Sequence, residues 1–358
     1  MKLSAADVVI DFESQSTCDL TQAGSYRYAE DPSTRVLFCS VKWGQAEIDS
    51  PAQLFEGHDV SSLVRLHVKN GGRVWAWNSL FEWAIWSRCL KLPGKLEQFR
   101  CIMSIALAHG LPGALDRATR LANSKHRKSL QGKGLISKLC KPNKKLGGRL
   151  ATPADFPEDF AAFGRYCQED TLAEFEMLRR LPDLSPEEWK VFQLDREINE
   201  RGVFVDQVAA RAALHAVSYA LAPINAEAIE LSGGIINNVA TQHQRVLQWL
   251  QARGFKYDTT RKEILLRIIA KHRADLAPEV VKMIDLRLQA ARSSTSKLEA
   301  VAAGVMSDGR IRGTMKFCGA ARTGRWSAQR PLQVHNFPRP QDKFTPADQQ
   351  QVIDWLTI

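Results

Sequence analysis

The segment Val8-Val9-Ile10-Asp11-Phe12-Glu13 constrains the fold of this chain more than any other. Three consecutive apolar residues read as the start of a buried strand. Period-two alternation then turns Asp11 and Glu13 to the same face, so two hard oxygen donors converge by construction. A second pair, Tyr166 and Asp170, is four residues apart in a stretch of helical pattern from Phe160 to Leu178 and shares one helix face. Between them, Asn78-Ser79-Leu80-Phe81-Glu82 falls where strand-like Val74 to Trp77 gives way to helical Phe81 to Cys89. Carboxylates gathered in this way repel one another and hold raised pKa values unless cations lie between them. The oxygen-only donor set suits two divalent ions, Mg²⁺ or Mn²⁺, better than zinc. Such a pair is what phosphodiester hydrolysis needs to deprotonate a water and stabilise the leaving oxygen.

The rest of the sequence gives that site a setting. Up to about residue 183 strands and helices mix, with further strand pattern at Val36 to Trp43 and helical pattern at Cys101 to Ala108. Beyond Leu181-Pro182-Asp183 the pattern becomes mostly helical. Ser185-Pro186-Glu187-Glu188 opens that region as a capping box with proline at the first helical position. Helices are expected over Asp206 to Leu231, Val239 to Arg253, Arg261 to Arg273 and Pro278 to Ala303, then a hairpin over Arg310 to Phe317 after the turn Ser307-Asp308-Gly309. The chain thus divides into an α/β domain over 1–183, a mainly α region over 184–306, and a third segment over 307–358.

At 358 residues and 44% hydrophobic content, disordered and fibrous classes drop out. Forty-nine Lys and Arg against 39 Asp and Glu leave a net charge of +10, which favours a polyanionic partner. The charge is concentrated from Arg117 to Arg149, where eleven basic residues and no acidic ones are interrupted by glycines. Such a run is either a solvated face or a guide for a nucleic-acid strand. Seven scattered cysteines form no zinc or disulfide framework and suit a reducing compartment. With no leader-like N-terminus and no apolar run long enough for a membrane span, a cytoplasmic protein without a membrane partner is expected, in the host cytoplasm if the source is viral. Trp75, Trp77, Trp83 and Trp86 crowd the middle motif and are read as core rather than as stacking platforms.

At these residues the chain resembles the proofreading 3′→5′ exonuclease domain of A-family DNA polymerases, the bacterial polymerase I type. That family's signature is D-x-E, then N-x-x-[YF]-D, then Y-x-x-x-D. The resemblance implies a ribonuclease H-like α/β fold followed by a mainly α thumb, with Asp11, Glu13, Glu82 and Asp170 as metal ligands. It also implies that the Tyr166 hydroxyl orients the attacking water, that Asn78 braces the site and that Ser14 contacts the terminal nucleotide. Glu82 departs from the pattern, standing one methylene longer where the family has Asp. Leu194 to Asp206, Ile236 to Gln242, Arg292 to Leu298, the T-G-R block within Ala321 to Arg325, and Leu332 to Arg339 look like the family's later blocks. By that resemblance Arg292, Lys297, Arg325 and Asn336 contact DNA.

The function so implied is hydrolysis of DNA from its single-stranded 3′ end to nucleoside monophosphates, with thumb contacts to the primer-template duplex, in a phage-like polymerase. In the family the palm aspartates and basic fingers helix lie downstream of T-G-R, and the sequence ends at Ile358. A polymerase site is therefore not expected within it, and a second chain carrying palm and fingers is the expected partner if the remainder is supplied separately. The alternatives are a non-catalytic DNA-binding piece of a split polymerase and a related exoribonuclease.

Overall fold

The computed structural model describes residues 2–127, 132–290, 295–337 and 345–357. They form two compact units, one of 1–205 with 303–336 and one of 206–302 with 337–358.

The first unit is built on a mixed sheet of β1 (Asp7–Gln15), β2 (Arg35–Trp43), β3 (Gln53–Glu56), β4 (Arg73–Ala76) and β5 (Phe99–Cys101), in the order β3-β2-β1-β4-β5. β1 is central, antiparallel to β2 and parallel to β4. β3 runs antiparallel to β2, and β5 parallel to β4. The apolar start of β1 explains its place, because both faces are covered. Val8, Ile10 and Phe12 join one core with Tyr26, Leu80 and Trp83, while Val9 joins another with Trp75, Phe175 and Met177. Flanking helices are α1 (Leu20–Glu30), α2 (Ser62–Lys69), α3 (Ser79–Ala84), α4 (Ile102–Ala108), α5 (Leu115–Leu121), α6 (Gly132–Leu139), α7 (Pro157–Arg180) and α8 (Pro186–Arg201). α3 runs on into a π-helical turn over Ile85–Cys89.

α7 is the element that matters most for the site. Pro157 pre-sets its first turn, Glu158 and Asp159 sit at its positive end and Arg179 and Arg180 at its negative end. Phe160, Phe163, Cys167, Asp170 and Glu174 are buried along the stripe it turns to the sheet. α8 opens as its sequence suggests, with the Ser185 hydroxyl accepting from the Glu188 N–H at 3.1 Å. It ends at Gly202, whose positive φ of 66° and close approach to the Ile311 carbonyl leave no room for a Cβ.

The four tryptophans around the middle motif are core: Trp75 and Trp86 are 1% and 0% exposed. Each indole N–H has a partner, from Trp75 to Asp7, Trp77 to the Gly113 carbonyl, Trp83 to Glu200 and Trp86 to the Pro93 carbonyl.

The second unit contains α9 (Gln207–Ser232), α10 (His243–Gln251), α11 (Lys262–His272), α12 (Pro278–Ala290) and α14 (Pro346–Thr357), and α13 (Thr295–Gly304) leads back to the first. Its core gathers Ile236, Val246, Trp249, Leu265 and Met283. One helix expectation shifts. α10 begins at His243 instead of Val239, because the Asn238 side chain accepts from the N–H groups of Ala240 and Thr241, a turn that competes with the helix. The stretch expected as helix over Pro278 to Ala303 is helical as α12 and α13 where it is described; 291–294 lie outside the described residues.

The expected hairpin shifts as well. β7 (Arg310–Ile311) pairs with β6 (Val203–Phe204), and the true hairpin joins β8 (Met315–Ala320) to β9 (Arg325–Ala328). The block ending Thr323-Gly324-Arg325 is its turn, Gly324 taking a φ of 63°. All seven cysteines are free thiols. No helix among the described residues is long and apolar enough to cross a membrane.

Candidate active site

Asp11 and Glu13 leave β1 on the same side as Val9, the face on which α7 lies. The Cys167 thiol, 3.6 Å from the Asp11 carbonyl, ties the helix to the strand at that point. On α7, Tyr166 directly precedes Cys167 and Asp170 follows it by three residues, about one turn. Single carboxylate oxygens of Asp11, Glu13 and Asp170 lie within 4.8 Å of one another, and Asp170 is buried. The pairs foreseen on strand and helix thus meet.

Tyr166 hydrogen-bonds to Asp170, and its hydroxyl pKa stands far above the ordinary tyrosine value. Burial is the main cause, followed by the charges of Asp170, Glu13 and Asp11. The phenol therefore stays protonated and keeps its donor. Its ring stacks on Phe163 at 5.8 Å between centroids and 12° between planes. It is also pressed by Gly132 at the start of α6, where a Cβ would come within 2.2 Å of the ring.

The third part of the site is the turn from β4 into α3. Asn78 caps α3 by position, yet its side chain makes no capping bond and faces the groove. Glu82, one turn further, is 4% exposed, and its Oε2 has no hydrogen-bond partner among the described residues. Burial first, and then the neighbouring charge of Asp11, push its pKa well above the usual carboxylate range; Arg196 acts the other way. Glu82 is outside the tight trio but lines the same open groove of about 990 Å³. Ser14 lines it too, its hydroxyl 3.0 Å from that of Tyr28.

Of the residues expected to touch DNA further along the chain, Arg325 is exposed at the start of β9. Asn336 is exposed and donates to the Gln333 side chain at 2.8 Å. Lys297, in the second unit, holds its ammonium 5.2 Å from the Phe337 ring centroid. Arg292 lies outside the described residues.

Three groups at the site were not foreseen from sequence. Glu174 continues the Tyr166, Asp170 stripe by one more helical turn and accepts from the Trp77 N–H at 3.1 Å; the four-residue spacing was the available signal. Lys141 comes from within the basic run and lines the groove. Arg330 lines it as well, and no local pattern announces that.

No family model matches the chain. Among solved structures it is similar to the POL domain of Pol1 from M. smegmatis, solved in complex with DNA primer-template and dNTP. That likeness has 14% identity and a TM-score of 0.46 over 94% of this chain and 52% of that one. The DNA polymerase of Bacillus phage SP02 is 32% identical over 343 residues, 92% of this chain and 51% of that protein. The chain thus spans about half the length of this relative. Across nearly all of its own length the chain is thus similar in sequence to about half of a phage DNA polymerase.

Proposed function

We propose that the first unit contains a ribonuclease H-like 3′→5′ exonuclease domain, over 1–183, that trims DNA from a single-stranded 3′ end as the proofreading part of a polymerase. The observation that carries this reading is the convergence of Asp11, Glu13 and Asp170 within 4.8 Å. Residues 184–306 are then a thumb region and 307–358 the start of a palm, with Arg292, Lys297, Arg325 and Asn336 on primer-template DNA.

The residues present fit divalent metal ions. The donors are all oxygen, three carboxylates are crowded together, and a fourth, Glu82, is buried with an oxygen that no described residue satisfies. Mg²⁺ or Mn²⁺ would be held by Asp11, Glu13 and Asp170, with Glu82 as the fourth ligand. When bound, such ions supply a hydroxide-like nucleophile at neutral pH and stabilise the leaving oxygen. The protein's own part is positional. Tyr166, protonated and fixed between Phe163 and Gly132, presents its hydroxyl beside Asp170 to orient the attacking water. Asn78, Ser14, Lys141 and Arg330 line the groove; on this reading Asn78 braces the site, Ser14 meets the terminal nucleotide, and Lys141 and Arg330 offer cations to the strand's phosphates.

One observation favours a second reading, a DNA-binding unit that does not hydrolyse. Glu82 stands where the family has Asp, outside the trio, with a pKa raised toward its neutral form. A 5′-labelled single-stranded DNA incubated with Mg²⁺ separates the two. The exonuclease reading expects stepwise shortening from the 3′ end, lost by roughly 10³-fold in Asp11→Ala and Asp170→Ala while DNA affinity is kept. Equal, absent cleavage in all three chains with intact DNA binding would establish the second reading.

A further inference from the structure

The turn that delivers Asn78 and Glu82 is gripped by its backbone from two helices. On α7, Glu174 is 3% exposed and accepts the N–H of Trp77 at 3.1 Å, immediately before Asn78. On α8, Arg196 is 2% exposed and donates through Nη2 to the carbonyl of Ser79 at 3.2 Å, immediately after it. The Trp77 carbonyl is also engaged, by the Met103 N–H at 3.0 Å. Two oppositely charged, buried side chains therefore hold one peptide unit on each side of Asn78. Long charged residues are seldom fully buried, and a buried hydrogen bond to a charged group is stronger than one between neutral partners. Either side chain could be replaced by an apolar one if only packing were needed.

We propose that Glu174 and Arg196 are positioning residues: together they clamp the β4–α3 turn and so fix the distance of Asn78 and Glu82 from the carboxylates on β1 and α7. The inference deepens the exonuclease reading and rests on it. Because Glu174 lies one turn beyond Asp170 on the same helix, any shift of α7 moves the metal ligand and the clamp together. Because Arg196 belongs to α8, the site depends on a segment beyond residue 183.

The test uses the full chain with Glu174→Leu, Glu174→Gln, Arg196→Met and Arg196→Lys. Hydrogen exchange of the peptide spanning 75–84, measured without metal, should be at least about tenfold faster in Glu174→Leu and Arg196→Met than in the unaltered chain. Mn²⁺ affinity, read by calorimetry, should weaken by about 10- to 100-fold, the range for groups that orient metal ligands. On single-stranded DNA, kcat should fall by a similar factor with KM within about twofold. Glu174→Gln keeps an acceptor oxygen and should restore exchange protection and kcat. Unchanged exchange and Mn²⁺ affinity in Glu174→Leu would overturn the clamp, as would a Glu174→Gln chain that behaves like Glu174→Leu. If the leucine and methionine variants fail to fold by circular dichroism, the glutamine and lysine variants decide by the same readouts. A chain that cleaves no DNA even when unaltered removes the exonuclease reading, while exchange and Mn²⁺ binding still decide the clamp.

Discussion

Gly132 and Glu82 show how single side chains set the quality of this site. Gly132 is needed for space, not for a turn: a methyl there would stand 2.2 Å from the Tyr166 ring. Gly132→Ala should therefore push the tyrosine off Asp170, costing about 1–3 kcal/mol of stability and at least about tenfold in cleavage rate, measured by urea unfolding and single-turnover degradation. Tyr166→Phe, which keeps the stacking on Phe163 but deletes the hydroxyl, should lose rate without losing stability. Glu82 is the sharper question. If it completes the metal set, Glu82→Ala slows Mg²⁺-dependent degradation by roughly 10²-fold; an unchanged rate would show that three carboxylates suffice. Asp11, Glu13 and Asp170 were legible as donors from alternation and helical spacing, since each spacing fixes a face. Glu82's burial and its coupling to Asp11 were not, because both arise from elements distant in sequence.

At the scale of elements, α8 links the sheet to the hairpin of β8 and β9. Asp195 on α8 is 5% exposed and accepts from the Asn199 side chain at 3.2 Å. Burial pushes its pKa up to about 7, against the opposing pull of Arg196, Asn199 and Trp326. In the unfolded chain the group titrates near 4. The folded protein therefore binds the extra proton between about pH 4 and 7, and this contribution to stability is fully present at the acid end and lost as pH rises through 7. Urea midpoints of the first unit should fall across that window in the unaltered chain and lose that dependence in Asp195→Asn. The same helix was readable at its start, where Ser185 caps as its motif implies; Ser185→Ala should cost about 1 kcal/mol. Its end and the hairpin were less readable. Short strands such as β6 and β7 carry two residues each, too few for any period to show, and their pairing is decided by chain segments about a hundred residues apart.

For the molecule as a whole, the charge of +10 forecasts a polyanionic partner, but the fold decides which cations remain available for one. Within the basic run Lys125 pairs with Asp49, Lys138 with Asp159 and Arg149 with Asp155, so part of its charge is structural. Lys141, Lys144 and Lys145 are exposed. Replacing these three with Gln should weaken single-stranded DNA binding and flatten the slope of log K against log salt by about 2, if each meets a phosphate. An unaltered slope in a salt titration would make the run a solvated face. The sequence by itself determined the central strand, the helix bearing Tyr166 and Asp170, the mainly helical second region and the chemistry of the donors, because period and residue type are local properties. Only the tertiary structure decided that these donors meet within 4.8 Å, that Glu82 is buried beside them, and that Glu174 and Arg196 grip the turn between. Those outcomes depend on packing between α7, α8 and the sheet, whose contacts join residues up to about 160 positions apart, and no local pattern specifies a distance across such a gap.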